Sequence, residues 1–174
     1  MEEITYCLGC MHPLDWDGKC RRCGFEPEKY RSSGQQLPLG STLHRGEYLI
    51  GRVLGEGGFG ITYIGLNRTL LIPVAIKEYF PNGVVWRNVK GKGGDCNVTP
   101  VNEEAEQMLE QGKNDFLKEA RILSQFGSLE GIVRTRSFFE ENHTAYLVMD
   151  YIDGSSVKNY IAQNGKLTPE ACWS

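Results

Sequence analysis

The alternation of apolar and polar positions along the chain predicts a series of short strands. Residues 48–54 and 61–66 are rich in β-branched and aromatic side chains, and residues 74–77 form a third apolar run. Two more runs, 132–139 and 144–149, flank a polar turn. The order of these runs predicts a five-stranded antiparallel sheet.

A helical period interrupts the strands before the fourth run. Four apolar residues recur at a spacing of three or four positions and therefore share one stripe of a helix: Phe116, Ala120, Leu123 and Phe126. Glu119 follows Phe116 by three positions, so we expect its carboxylate on the inward side, where it needs a cation as partner. The pattern predicts an α+β fold with one main helix.

The segment 79–114, between the third strand and this helix, is interpreted as an insertion. It contains an expected hairpin around residues 91–94 and a stretch of helical character at 103–111. Its Trp86, Arg87 and Cys96 belong either to a docking surface or to a brace on the helix. A second, short helical stretch is expected at 156–163.

The first 25 residues carry two Cys-x-x-Cys pairs, Cys7 with Cys10 and Cys20 with Cys23. Two such turns direct four thiolates toward one centre and complete a tetrahedral metal shell. The segment has few apolar residues, so the metal would supply its folding energy. We predict a structural Zn²⁺ knuckle at 1–25. An iron site has the same ligand set, and two disulfides or a redox pair are further alternatives.

Composition and charge are those of an ordinary globular protein. The chain has 174 residues, 40% of them apolar and 24% charged, with a formal net charge of −3. This balance gives no reason to expect nucleic-acid binding, although Lys19, Arg21 and Arg22 beside the knuckle keep that interpretation open as a minor alternative. No membrane-spanning run and no signal peptide are found in the sequence, so a cytoplasmic location is expected.

The segment 26–45 is hydrophilic and shows no strand or helix period, so we interpret it as a linker. Leu37, Leu39 and Leu43 are the residues of this segment expected to pack on the domain that follows.

A glycine-rich loop lies between the first two predicted strands. Residues 55–60 read Gly-Glu-Gly-Gly-Phe-Gly and match Gly-x-Gly-x-x-Gly. A dinucleotide-binding loop of this kind opens a helix, whereas residues 61–64 continue as a strand. The arrangement strand–loop–strand favours a loop whose amides cover nucleotide phosphates. Lys77 ends the run Val-Ala-Ile-Lys 17 residues after Gly60 and is the candidate cation for the same phosphates.

Taken in order, residues from about 37 onward resemble the N-terminal lobe and hinge of a bacterial eukaryotic-like (Hanks-type) serine/threonine protein kinase. The motifs that carry the resemblance are 54–62, 74–77, Glu119 and 146–154. The arrangement of a four-cysteine module before such a lobe also resembles that of some bacterial members of the family. The resemblance implies the organisation 1–25 zinc knuckle, 26–45 linker, 46–154 lobe and hinge, and 155–174 start of the C-terminal lobe.

The resemblance also implies site residues. Lys77 would bind the α- and β-phosphates of ATP, held with Mg²⁺, and pair with Glu119. Val53 or Leu54 would line the adenine pocket, Met149 would be the gatekeeper, and backbone groups of the hinge would bind adenine. The full implied ATP-binding set is Leu54, Gly55, Glu56, Gly57, Gly58, Phe59, Gly60, Thr62, Ala75, Lys77, Met149, Asp150 and Ile152.

The sequence contains neither a His-Arg-Asp catalytic loop nor Asp-Phe-Gly. We therefore expect this chain alone to be inactive and interpret it as ending where a C-terminal lobe begins. Apolar surface that would face that lobe predicts self-association. Expected partners are ATP and a protein substrate or partner kinase. The alternative function is a catalytically dead module that binds nucleotide or a partner.

Overall fold

The computed structural model describes residues 5–87, 89, 95–127 and 129–168. The strands are β1 (Thr42–Leu43), β2 (Tyr48–Gly57), β3 (Gly60–Asn67), β4 (Ile72–Tyr79), β5 (Val85–Trp86), β6 (Thr99–Pro100), β7 (Thr135–Glu141) and β8 (Thr144–Asp150). The helices are α1 (Glu103–Gln125) and α2 (Val157–Asn164), and a short 3-10 turn spans Pro27–Lys29. Six strands pair antiparallel in the order β1–β2–β3–β4–β8–β7, and β5 pairs with β6 apart from this sheet.

The predicted strands are present, and the sheet has an additional short strand. The strand β1 lies within the segment 26–45, which the sequence predicted to be a linker. Leu43 of this strand is buried. Leu37 is buried as well, while Leu39 is half-buried. Residues of the linker therefore pack on the sheet as expected.

The helix α1 is longer than the apolar stripe indicated. It runs without interruption over 23 residues and includes the stretch 103–111. Its start is capped by Asn102, whose side-chain oxygen accepts a hydrogen bond from the backbone N–H of Ala105 at 2.8 Å. The short helix α2 agrees with the expectation, and Ser156 caps it.

The strand register sorts the residues of the sheet onto two faces. Thr62, Lys77 and Leu147 lie opposite one another on one face. Tyr63 and Ile76 lie opposite one another on the other face, where both are fully buried. The first face carries the candidate phosphate-binding residues, and the second contributes to the main core.

The insertion contains the two-stranded pairing of Val85 with Pro100 and of Trp86 with Thr99. The predicted turn at 91–94 lies outside the described residues, as do residues 169–174. Among the helices of the described residues, none is long and apolar enough to cross a membrane.

Candidate functional site

The glycine-rich loop and Lys77 border one cleft. The cleft has a volume of about 330 Å³ and is lined by the loop residues 55–60 together with Thr62 and Lys77. The loop connects β2 to β3, and Thr62 faces Lys77 across the β3–β4 pairing. At Gly57 and Gly58 a side chain would meet no atom within 4 Å, so these residues leave the backbone open to a ligand. The structure thus brings the predicted phosphate-binding residues together.

The predicted adenine-lining residues lie in the next row of the same sheet face. Ala75 pairs with Met149 of β8 and with Ile64 of β3. The sequence left Val53 and Leu54 as alternatives. The β2–β3 register shifts between Ile50 and Gly55, and Leu54 packs against the apolar cluster that contains Ile64, whereas Val53 packs against the main core. Leu54 is therefore the residue on the cleft face.

The predicted hinge residues lie at the end of β8 and directly after it. The backbone N–H of Asp150 donates to the carbonyl of Arg134 at 3.0 Å, and its carboxylate pairs with Arg136. Ile152 is 70% exposed. The hinge strand is therefore fixed to Arg134 and Arg136 up to Asp150, Tyr151 is half-buried, and the chain faces solvent from Ile152.

Glu119 does not occupy the expected position. Its side chain is exposed, and Lys77 forms no ion pair within the described part of the chain. The Lys77 ammonium lies instead 5.8 Å from the ring centre of Phe116. The buried face of α1 includes Leu117, while Phe126 at its end is exposed. Phe116 and Ala120 are buried and Leu123 packs against the core as predicted, but the buried face is rotated toward Leu117, so the expectation of an inward Glu119 was wrong.

The four N-terminal cysteines form one cluster. The Sγ atoms of Cys7 and Cys23, of Cys10 and Cys20, and of Cys20 and Cys23 are each 3.6 Å apart. All four lie within 4.8 Å of one another. Sulfurs bound to a tetrahedral zinc at about 2.3 Å lie about 3.8 Å apart, so the cluster fits such an ion. The backbone N–H of Gly9 donates to Cys7 Sγ at 3.3 Å.

The electrostatics of the cluster differ among its thiols. Burial raises the pKa of Cys7 and of Cys10. Burial also opposes ionisation of Cys20, but hydrogen bonds from the Cys23 backbone and the Cys7 thiol outweigh it and lower the pKa of Cys20 to about 6. A thiolate is the form that binds metal, so a bound cation would favour ionisation of all four thiols.

The cysteine knuckle is docked on the sheet. Met11 is 2% exposed and packs against Ile64 and Leu66. The backbone N–H of Arg52 donates to the carbonyl of Leu8 at 2.8 Å, and the Arg52 Nε donates to the carbonyl of Gly9 at 2.9 Å. The knuckle therefore packs on the cleft face of the sheet and reaches the adenine-lining row at Ile64, the strand partner of Ala75.

The knuckle also reaches the hinge. Tyr151 packs against the same apolar cluster as Met11. Arg22 pairs with Asp153 at 2.8 Å, with both side chains more than half exposed. An exposed pair of this kind contributes little to stability. The apolar contact of Tyr151 is the stronger connection between the two parts.

One buried group was missed by the sequence reasoning. Glu78 and Arg87 form an ion pair whose side chains are both 0% exposed. The Glu78 carboxylate also accepts hydrogen bonds from the hydroxyls of Tyr63 at 3.0 Å and Tyr146 at 2.7 Å. Burial, and then the negative charge of Glu78, raise the pKa of both tyrosines, which remain hydroxyl donors. The only sequence signal was a second charged residue, Glu78, directly after Lys77 in a largely apolar strand.

Comparison with protein families gives a match over most of the chain. The family model described as protein tyrosine and serine/threonine kinase matches residues 49–172. Serine/threonine-protein kinase B of Synechocystis is 25% identical over 170 residues, which cover 95% of this chain and 24% of that protein. Calcium-dependent protein kinase 10 of Arabidopsis thaliana is 26% identical over 125 residues, or 72% of this chain and 19% of the relative. The chain thus spans about a quarter of these relatives or less.

Solved structures give the same result for the fold. The structure titled PpkA-294 apo form matches with a TM-score of 0.67 and 35% identity, over 75% of this chain and 43% of that one. The kinase domain of PknI from Mycobacterium tuberculosis matches with a TM-score of 0.53 and 17% identity, over 77% of this chain and 44% of that one. At the latter identity the likeness concerns the fold alone.

Proposed function

The chain belongs to the protein tyrosine and serine/threonine kinase family, and on this basis we propose that it supplies the ATP-binding N-terminal lobe of a serine/threonine kinase. In this proposal ATP binds with its phosphates under the glycine-rich loop and its adenine against the cleft face of β2, β3 and β8. Mg²⁺, when bound with ATP, neutralises phosphate charge. The reaction of the complete protein would be transfer of the γ-phosphoryl group to serine or threonine hydroxyls.

The observation that carries the proposal is the juxtaposition of Lys77 with the glycine-rich loop in one open cleft. Backbone N–H groups of a glycine loop donate to phosphate oxygens, and an ammonium group adds a compact positive charge. Because Lys77 has Phe116 rather than Glu119 beside it, we propose Lys77 as the phosphate-binding cation that acts without a carboxylate partner in this structure.

The adenine would lie between Leu54 above and the hinge at its edge. Ala75 is small and stands next to Met149, which leaves room for a planar ring along this row. The N–H of Asp150 is already bonded to Arg134, so its carbonyl is the group proposed to accept from adenine. The exposed backbone at Ile152 is proposed to provide the second hydrogen bond.

The four cysteines are proposed to hold a structural zinc ion. Their spacing fits a tetrahedral thiolate shell, and the segment has only a small apolar core of its own. Its docking through Met11 means that metal binding would stabilise the neighbouring strands as well as the knuckle. Iron has the same ligand preference, and metal analysis of the purified protein separates the two ions.

Catalysis by this chain alone is not part of the proposal, because its sequence contains no His-Arg-Asp and no Asp-Phe-Gly. That observation also favours a second candidate function. In it the chain binds nucleotide or a partner kinase and regulates without transferring phosphate. Measured phosphoryl transfer to a protein substrate would exclude this alternative.

Calorimetric titration with Mg²⁺–ATP tests the proposal. Saturable binding is expected for the unaltered chain and should be lost in Lys77→Ala. Lys118→Ala is the matched control, because Lys118 is an exposed lysine of α1 outside the cleft. Equal binding by the Lys77 and Lys118 variants, or no binding at millimolar ATP by a folded chain, would contradict it.

A further inference from the structure

The buried pair of Glu78 and Arg87 connects three segments that are distant in sequence. Arg87 Nη1 donates to Glu78 at 3.1 Å and to the carbonyl of Gln35 at 3.0 Å, and Arg87 Nε donates to the carbonyl of Cys96 at 2.6 Å. Burial opposes the charge of Arg87, but the hydrogen bonds and charge of Glu78 outweigh it, so its pKa is raised. One guanidinium group thus joins strand β4, the insertion and the linker.

The linker is attached to the same group a second time. The hydroxyl of Tyr63, which donates to Glu78, accepts a hydrogen bond from the backbone N–H of Leu37 at 3.0 Å. Residues 35–37 are therefore fixed to the back of the sheet by two hydrogen bonds, of which the one at Leu37 is buried and the one at Gln35 is partly buried. Leu37 itself is 3% exposed.

The Arg87 guanidinium also lies 5.3 Å from the ring centre of Phe80, and both the linker and residues 80–82 contact the glycine-rich loop from its outer side. The N–H groups of Phe80 and Asn82 donate to the carbonyls of Phe59 and Gly58 at 3.1 and 2.9 Å. The Gln36 side chain bonds to the Glu56 carboxylate. A small cleft of about 270 Å³ lies between these groups, on the opposite side of the loop from Lys77.

We propose that Arg87 is a positioning residue for nucleotide binding: through Glu78 it holds 35–37 and 80–82 against the glycine-rich loop and so orients the loop amides toward the phosphates. The inference rests on the proposed function of that loop. A glycine-rich loop loses much conformational freedom when it closes on a ligand, and fixing it beforehand lowers that cost. Arg87 touches no nucleotide and acts through the backbone contacts of Phe80 and Asn82.

A buried ion pair could serve stability alone, and a double variant separates the two roles. Arg87→Met by itself leaves Glu78 buried without a cation, which destabilises any protein regardless of function. Glu78→Gln combined with Arg87→Met replaces the pair by neutral groups of similar size. The amide introduced at position 78 keeps one acceptor oxygen for one of the two tyrosine hydroxyls, and its NH2 group can donate to the oxygen of the other. Stability is expected to recover, while the bonds to Gln35 and Cys96 stay lost.

The experiment measures three quantities on the full chain and the double variant: the thermal midpoint, amide hydrogen exchange at Phe80 and Asn82, and the Mg²⁺–ATP dissociation constant. We expect a midpoint close to that of the unaltered chain, faster exchange at both amides, and a dissociation constant raised about tenfold, within the usual range of coupling between sites. Unchanged exchange and affinity in the folded double variant would overturn the inference.

Two further variants keep the outcome decisive. Leu66→Ala opens a cavity on the knuckle side of the sheet and controls for lower stability as such. In this variant, exchange at Phe80 and Asn82 should increase no more than exchange at amides that open only on global unfolding. Gln36→Ala removes the linker's side-chain bond to the Glu56 carboxylate, together with the local bond that Gln36 Oε1 accepts from the backbone N–H of Ser33, and leaves the buried ion pair intact, so it serves if the double variant does not fold. Weaker ATP binding at an unchanged midpoint would support the inference, and unchanged binding would overturn it.

The exchange measurement does not depend on ATP. If the unaltered chain binds no nucleotide, the proposed function fails. The amides of Phe80 and Asn82 still report whether Arg87 holds the loop. If exchange at these amides is faster in the double variant but no form binds nucleotide, Arg87 positions the loop, and its proposed effect on nucleotide binding is overturned.

Discussion

Lys77 and Glu78 are consecutive residues of β4 whose side chains lie on opposite faces of the sheet. Lys77 borders the cleft under the glycine-rich loop, whereas Glu78 is fully buried against Arg87 on the other face. Strand geometry alternates side chains in this way, so one strand serves both the candidate site and the support behind it. A substitution of Lys77 is therefore expected to affect ligand binding, whereas a substitution of Glu78 is expected to affect stability first.

Arg87→Met is expected to destabilise the fold by about 3–5 kcal/mol, because it leaves the Glu78 charge buried without its partner. Urea unfolding followed by circular dichroism measures this loss. Lys118→Met is the control, since it removes an exposed cation and should change the free energy of unfolding by less than about 0.5 kcal/mol. A loss below about 1 kcal/mol for Arg87→Met would show that the pair is not buried as described.

Gly51→Ala is expected to separate the cysteine knuckle from the sheet. A Cβ atom at Gly51 would lie 2.3 Å from the Leu8 carbonyl oxygen and 2.3 Å from the Met11 methyl group. Gly34→Ala is the matched control, because nothing lies within 4 Å of its Cβ position. We expect faster proteolysis between residues 24 and 40 and a stability loss of about 1–3 kcal/mol for Gly51→Ala alone. Equal behaviour of the two variants would contradict the docking.

The predictable part of the site consists of short motifs with their own chemistry. These motifs are recognised from the spacing of residues that are close in sequence. The structure brings the glycine-rich loop and Lys77 into one cleft, and it brings the four cysteines into one cluster. The side of α1 was harder to predict. Glu119 lies at the border of the buried stripe, and burial of Leu117 shifts that stripe away from it. Local periodicity does not determine such a rotation, because tertiary packing decides it.

The pair of Glu78 and Arg87 could not be derived from pattern. Arg87 follows a β4 residue by nine positions within a segment that has no regular period, and its other partners are backbone carbonyls. Every residue has a backbone carbonyl, so the sequence does not show which carbonyls will accept a hydrogen bond. The sequence reasoning left the role of the insertion open between docking surface and brace. The contacts of Arg87 favour a brace, on the sheet rather than on the helix.

Removal of the metal is expected to weaken the whole chain. A chelator stronger than the four-cysteine shell should lower the thermal midpoint by about 5–10 °C, because unfolding of the knuckle exposes Met11 and the strands under it. Restored zinc should reverse the change. Cys10→Ser is the control, since it should start near the lower midpoint and respond little to chelator. A midpoint that does not change with chelator would contradict a structural metal.

Gly112→Ala is expected to destabilise the protein although alanine favours helices. A Cβ atom at Gly112 would lie 1.8 Å from the hydroxyl oxygen of Tyr79, which packs against α1 beside Phe116. Thermal unfolding of Gly112→Ala, alone and combined with Tyr79→Phe, measures the clash. The combination should recover part of the loss. Higher stability of the single variant would show that α1 and β4 are less closely packed than described.

The most direct test of the central proposal is a residue-resolved NMR titration of the chain with Mg²⁺–ATP. We expect saturable shifts of the amide signals of Gly57, Gly58 and Gly60 and of the hinge residue Ile152, with loss of these shifts in Lys77→Ala. Shifts confined to the cysteine knuckle, or no shifts at millimolar nucleotide in a folded chain, would contradict the assignment of this cleft to ATP.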